Sequence, residues 1–406
     1  MAILDPVHRR VAPVILPLAD PGDIGLSADR LARLTAALQS EIDRKRLPGV
    51  VAIVARHGRI GYAASLGVRD PSSGAPMHDD VIFRIYSMTK PIVSVAVMML
   101  CEEGRLLVSD PLSKFLPDFS TMQVAVERAG RVDLVPAERP ITIQDLLRHT
   151  SGLTYEFLGT AAVQKMYGDA KLLRRDQTNA DHAAALARLP LMHQPGTRWE
   201  YSHSTDVLGR VIEVISGQSL RAFLRSRIID PLGMTDTDFF AEPERHGRLA
   251  EPFATDPDTG APVQLIDVRH PPTFETGGGG LVSTAIDYAR FCQMLLNGGQ
   301  LGSERLLSRK TLEWMTSDHL GGIPGGYIDL LGPGYGFGLG FAVRLHDGIA
   351  SVAGSAGHYY WGGIAGTTFW VDPKEDLFAV MMMQGPGQRA YFRPLFRNLV
   401  YAAFAD

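Results

Sequence analysis

Leu31, Leu34, Leu38 and Ile42 recur three and four positions apart behind Ser27. That spacing predicts an amphipathic helix capped by Ser27 and running to about Lys45, where Pro48-Gly49 stops it. The pattern then changes. Residues 50–56 form an apolar run suited to a buried strand, His57-Gly58 supplies a turn, and residues 59–67 read as the hairpin partner. Strand-like runs return near the other end, at residues 336–345, 366–371 and 377–383, with a closing helix over 391–404. Between them the periodicity is helical, at residues 91–103, 141–148, 180–189, 205–216, 220–229 and 284–296.

Strands at both ends with helices between them predict an α+β fold. One antiparallel β-sheet would be built from both chain ends and flanked by helices, with a mostly helical domain inserted. The expected division is a discontinuous sheet domain, 1–84 and 250–406, and a helical domain, 85–249, with a site at their interface. Residues 321–334 are rich in Gly and Pro and form a long loop, of a length that is usually functional or mobile.

Composition narrows the function. The net charge is −4 with both signs interspersed, so no basic stripe for nucleic acid exists. Cys101 and Cys292 sit far apart in apolar runs, which gives no disulfide framework. No apolar run is long enough to span a membrane. Residues 8–18 faintly imitate a signal peptide, but Pro13 and Pro17 interrupt them and no A-x-A site follows, so the expectation is a cytoplasmic protein. The oligomeric state is left open. There is no H-E-x-x-H, C-x-x-C, G-x-S-x-G or G-x-x-x-x-G-K, so neither a metal nor a cofactor is expected.

The chemistry concentrates in Ser87-Met88-Thr89-Lys90. Of seven lysines, only Lys90 has a serine three positions earlier. On a helix those two side chains share a face, and a desolvated neutral amine can take the hydroxyl proton. Pro91 lacks an N–H and is tolerated only where a helix begins, so Ser87 belongs in or beside the first turn. There it sits at the positive end of the helix, with its own N–H available to an oxyanion. A tyrosine between a serine and a lysine can relay a proton, because phenol and amine have similar unperturbed pKa values. Tyr201, in Trp199-Glu200-Tyr201-Ser202-His203, is such a candidate. In His358-Tyr359-Tyr360-Trp361-Gly362-Gly363-Ile364, paired glycines admit a substrate close to the backbone, and the Ile364 N–H can be the second oxyanion donor.

Ser87-x-x-Lys90, Tyr201-Ser202-His203 and Trp361-Gly362-Gly363, in that order, resemble the serine β-lactamase and penicillin-binding-protein superfamily. Within it the chain is most similar to the family VIII carboxylesterases and related acyltransferases. Residues 147–153 and 277–284 also resemble recurrent superfamily segments. The resemblance implies that Ser87 attacks an ester, Lys90 and Tyr201 handle its proton, and Ser87 and Ile364 hold the oxyanion. An acyl-enzyme would then pass its acyl group to water or an alcohol. Trp361 stands where β-lactamases carry the K-T-G lysine, and His203 where they carry the Y-x-N asparagine. Both changes favour a less charged, more apolar ester, and the expected activity is a serine carboxylesterase acting on short- to medium-chain esters. Trp361, Gly362, Gly363, Tyr155, His203, His358 and Tyr359 are the expected substrate-binding residues, with Phe157 and Tyr360 as further aromatics. The alternatives are a β-lactamase, a D-amino-acid peptidase or amidase on the same fold, and a non-catalytic binding protein on that scaffold.

Overall fold

Two distant stretches of the chain share one sheet. The computed structural model describes residues 16–128, 131–326 and 330–405. Most of the signal-like start and residues 327–329 of the Gly/Pro loop therefore lie outside the described residues. Helix α1 (Ala28–Asp43) leads into β1 (Gly49–Arg56), β2 (Arg59–Asp70) and β3 (Ala75–Pro76). The later strands are β4 (Tyr335–Phe337), β5 (Ala342–Arg344), β6 (Tyr359–Gly362), β7 (Thr368–Asp372) and β8 (Leu377–Met383). They lie in the order β4-β5-β6-β7-β8-β1-β2-β3 with antiparallel neighbours. The seam between the two stretches sets Val50 opposite Met383 and Arg56 opposite Leu377.

Because side chains alternate along a strand, a strand covered on both faces must be apolar throughout. β1 is buried along its whole length and is apolar from Gly49 to Ala55, with Arg56 at its end. Val50, Ala52 and Val54 pack with Leu31, Leu34 and Leu38 of α1 and with Phe392, Phe396 and Val400 of the last helix, Arg389–Ala402. Val51, Ile53 and Ala55 face the main core. That core holds α2 (Thr89–Glu102), whose residues are all buried from Thr89 to Leu100. A helix apolar on every side belongs inside a protein. Helices α3 (Ser204–Ser216) and α4 (Ala285–Leu296) pack in the same core, and the last helix is α5.

An α+β fold with an antiparallel sheet drawn from both ends is therefore the architecture observed. The expected single strand over 336–345 is corrected to β4 and β5. Gly338 donates to the Phe341 carbonyl at 2.8 Å, and Gly340 takes φ 101°, which turns the chain tightly between them. The helix expected over 220–229 ends its α-helical part at Leu224, and Arg225–Ile229 continues as a π-helical turn. Strands Gln123–Arg128 and Arg131–Pro136 pair in a small separate sheet that was not anticipated. No helix among the described residues is long and apolar enough to cross a membrane.

Candidate active site

A two-residue strand, Phe83–Arg84, pairs with Val282–Ser283 and delivers the chain to the start of α2. Ser87 lies in a single 3-10 turn, Tyr86–Met88, and α2 begins at Thr89. Pro91 therefore falls in the first helical turn, where its missing N–H leaves no internal bond unmade. Tyr86 has φ 43°, a backbone region that disfavours residues with a Cβ. Contacts on both sides hold it there. Its hydroxyl accepts from the Ile266 N–H at 2.9 Å, the Ile85 N–H donates to the Leu281 carbonyl at 3.1 Å, and the Leu281 N–H donates to Thr89 Oγ1 at 3.1 Å.

Lys90 is buried beneath a part-exposed Ser87. Its Nζ lies 3.3 Å from Ser87 Oγ, 3.2 Å from the Tyr155 hydroxyl and 2.7 Å from the Gly278 carbonyl oxygen. It also sits 4.5 Å from the centre of the Tyr201 ring. The Tyr201 ring packs between His149 (4.9 Å between centroids), Trp361 (5.3 Å) and Tyr155 (5.4 Å). Its hydroxyl is buried without a hydrogen-bond partner among the described residues, and so is Trp361 Nε1. Two polar atoms are thus left unsatisfied beside Ser87 and Lys90, in a structure where buried polar atoms are ordinarily paired.

Behind Tyr155 lies a set of charges that the motifs did not reveal. The Tyr155 hydroxyl donates to Asp206 Oδ2 at 3.4 Å, and Asp206 Oδ1 accepts from the Gly278 N–H at 2.9 Å and from Thr276 Oγ1. His203 Nδ1 lies 3.4 Å from Asp206 and 3.2 Å from His182 Nε2, while His203 Nε2 meets Glu156 at 3.0 Å. Burial alone would raise the Asp206 pKa, but the hydrogen bond from His203 and the charges of His182, His203 and Lys90 hold it far below the carboxylate range. Burial likewise opposes charge on His203, yet Asp206 and Glu156 keep its pKa raised. His182 is pulled down to about 3, first by burial and then by the neighbouring His203 charge. His182, His203 and Asp206 bring one ligand atom each within 4.8 Å of one another, and in this geometry those atoms pair with each other. Tyr155 is pushed well above the ordinary phenol value by burial and by Asp206, so it stays a neutral hydroxyl. His149 is driven well below the ordinary imidazole value by burial and by Lys90.

The fourth wall is β6 with the turn after it. Trp361 packs on Tyr201 and on Phe337, at 5.4 Å between ring centroids. A Cβ on Gly363 would sit 2.3 Å from the Ile85 carbonyl oxygen, so only glycine lets this backbone lie against the turn that carries Ser87. A Cβ on Gly362 would meet the Arg393 guanidinium of α5 at 2.6 Å. Ile364 is exposed next to them, and Phe157, also exposed, stacks on Tyr155 at 4.7 Å.

The structure thus gathers Ser87, Lys90, Tyr201, Tyr155 and Trp361-Gly362-Gly363-Ile364. Three expected substrate-binding residues are buried with partners outside this cluster. His203 is fully buried with both ring nitrogens engaged behind Tyr155. His358 is buried with Nε2 3.2 Å from the Tyr335 hydroxyl. Tyr359 shares a face of β6 with Trp361, but its ring packs against Phe341 in the main core. Tyr360 points to the opposite face, where Arg397 covers its ring. Sequence reasoning missed Asp206, Gly278 and Arg393. The Gly277–Gly280 run offered a signal for Gly278, whereas the other two reach the site from separate helices.

A sheet closed from both ends of the chain, with a Ser–Lys pair at the head of its central buried helix, defines a serine enzyme of the acyl-transferring kind. The comparisons agree. A family model described as Beta-lactamase matches residues 31–403. An uncharacterised protein of Mycobacterium tuberculosis is 36% identical, covering 86% of this chain and 88% of its own. Esterase EstB of Burkholderia gladioli is 34% identical, covering 94% of this chain and 98% of its own. The solved structure of EstCE1, a hydrolase with promiscuous acyltransferase activity, is 27% identical with a TM-score of 0.78, covering 92% of this chain and 98% of its own. The chain belongs to the β-lactamase family.

Proposed function

We propose that Ser87 is the nucleophile of a serine carboxylesterase that cleaves short- to medium-chain esters and can pass the acyl group to an alcohol. One observation carries this reading. The Gly278 and Tyr155 oxygens accept from Lys90 Nζ, so once the amine gives up its extra proton its lone pair is left facing Ser87 Oγ, 3.3 Å away. That lone pair takes the Ser87 hydroxyl proton as Oγ attacks, and Oγ keeps the electrons of the broken O–H bond. Ser87 Oγ bonds to the ester carbonyl carbon, and the N–H groups of Ser87 and Ile364 hold the oxyanion. The carbon–oxygen bond to the alcohol then breaks, and Lys90 returns the proton to that alcohol with the free Tyr201 hydroxyl as relay. Water, or a second alcohol, repeats these steps in reverse to release the acyl group.

Trp361 and exposed Ile364 and Phe157 give the site an apolar entrance, which favours an uncharged ester over a β-lactam carboxylate. The names of EstB and EstCE1 support the same activity. In this reading the site lies where segment 85–249 meets the sheet domain of 1–84 and 250–406, and the two free cysteines suit a cytoplasmic location. The test is hydrolysis of p-nitrophenyl acetate, butyrate and octanoate by wild type and Ser87→Ala, with nitrocefin alongside. Ester turnover lost in Ser87→Ala, with slow nitrocefin cleavage, supports the proposal. Faster cleavage of nitrocefin would favour the β-lactamase alternative, and ester turnover surviving in Ser87→Ala would remove Ser87 from the mechanism.

A further inference from the structure

We propose that Arg393, on α5, is a positioning residue that orients and polarises the peptide whose N–H binds the oxyanion. The inference rests on the reading of Ile364 as an oxyanion donor. Arg393 Nη2 donates to the Gly363 carbonyl and, at 3.0 Å, to the Thr367 carbonyl. The Gly363 carbonyl also accepts from the Gly366 N–H at 3.0 Å, and the Gly363 N–H donates to the Thr367 carbonyl at 2.9 Å.

The Gly363 carbonyl and the Ile364 N–H belong to one peptide unit, and no described peptide is cis. Across a trans peptide the two groups point in opposite directions. Pinning the carbonyl toward α5 therefore turns the Ile364 N–H the other way. Gly363 itself lies against the Ile85 carbonyl, two residues before Ser87, so it borders the nucleophile turn. A cation on the carbonyl oxygen also draws electron density from the amide, and charge-assisted hydrogen bonds are the stronger ones.

The surroundings of Arg393 fit this task. No carboxylate pairs with its guanidinium among the described residues. Its charge is directed at backbone oxygens instead. Arg389, Arg393 and Arg397 recur every four residues along one face of α5, and burial with the Arg389 charge pulls Arg393 down to about 10, still cationic at neutral pH. The need for glycine at 362 follows too, since its missing Cβ is the space the guanidinium occupies.

The test measures kcat and KM for p-nitrophenyl butyrate, and inhibition by 1-butaneboronic acid, in the full chain. Wild type, Arg393→Met, Arg393→Lys and Ile364→Pro are compared, with thermal unfolding of each. The boronate adds to the serine as a tetrahedral anion, so its affinity reports the oxyanion donors rather than ground-state binding. Arg393→Met is expected to lose kcat about tenfold to a hundredfold with KM within about twofold, and to lose boronate affinity by a similar factor. Arg393→Lys should regain part of both. A folded Arg393→Met that keeps wild-type kcat and boronate affinity, beside an impaired Ile364→Pro, would overturn the role of Arg393 alone. A folded Ile364→Pro with wild-type kcat would overturn the oxyanion reading and this inference with it.

Discussion

The two sides of the Ser87 site are built from different materials. Below it, Lys90, Tyr155, Asp206, His203 and Glu156 form a chain of ionisable side chains, each held by the next. Beside it, Gly362, Gly363 and Ile364 contribute backbone, shaped by the absence of side chains and held by Arg393. In the mechanism we propose, a proton moves on the first side, which calls for groups that can change charge, and a developing negative charge is met on the second, which calls for dipoles already in place. The first side should therefore respond to charge-changing substitutions and to pH, and the second to a single added carbon.

The sharpest way to break this contrast is Lys90→Met, which keeps length and apolar packing but removes the amine. Ester kcat is expected to fall about a thousandfold while the folded chain persists, as measured by steady-state kinetics and circular dichroism. Asp206→Asn comes next. It leaves His203 charged beside an uncharged partner in a buried cluster, and about 3 kcal/mol of stability should be lost in urea unfolding. Gly363→Ala should act on the other side, where the new Cβ meets a backbone oxygen that cannot step aside. A kcat loss of about tenfold or more is expected, with an unchanged pH profile; a shifted profile would show that the two sides are not separable.

A last effect is a pH dependence of stability. His182 titrates at about 3 when folded, so as pH falls below 6.5 the unfolded chain takes up the proton first. Stability is then lost between those values, by about 2 kcal/mol on going from pH 7 to pH 5. His149 and His358 act in the same sense and His203 in the opposite one. Urea unfolding of wild type and His182→Asn at both pH values checks this, and an equal pH slope in the two proteins would count against it.

The sequence made the first side half legible and the second side only in outline. Ser87 and Lys90 are neighbours along one helix, so their spacing alone brings them together. Tyr155 and Gly278 meet Lys90 from a loop and a glycine run, Asp206 meets Tyr155 from the first turn of α3, and no local pattern links them. Strand alternation explains where the aromatics of β6 lie. β6 must send Tyr359 and Trp361 to one face and Tyr360 to the other, and only Trp361 stands at the end that reaches Tyr201. The division of 336–345 into two strands was written in Gly338 and Gly340, but apolar residues on both sides of them masked it. The alternation in 123–128 and 131–136 was equally available, though short and bounded by few turn residues.

Val50 pairs with Met383, and the Gly363 peptide is gripped by a residue of the last helix. During synthesis, then, Ser87 and Lys90 emerge long before the strands and the helix that complete their surroundings. Pairings so distant in sequence are slow to form, because the loop must be closed before any contact rewards it. A chain synthesised only as far as α4 would carry Ser87 and Lys90 without the Gly363 peptide beside them.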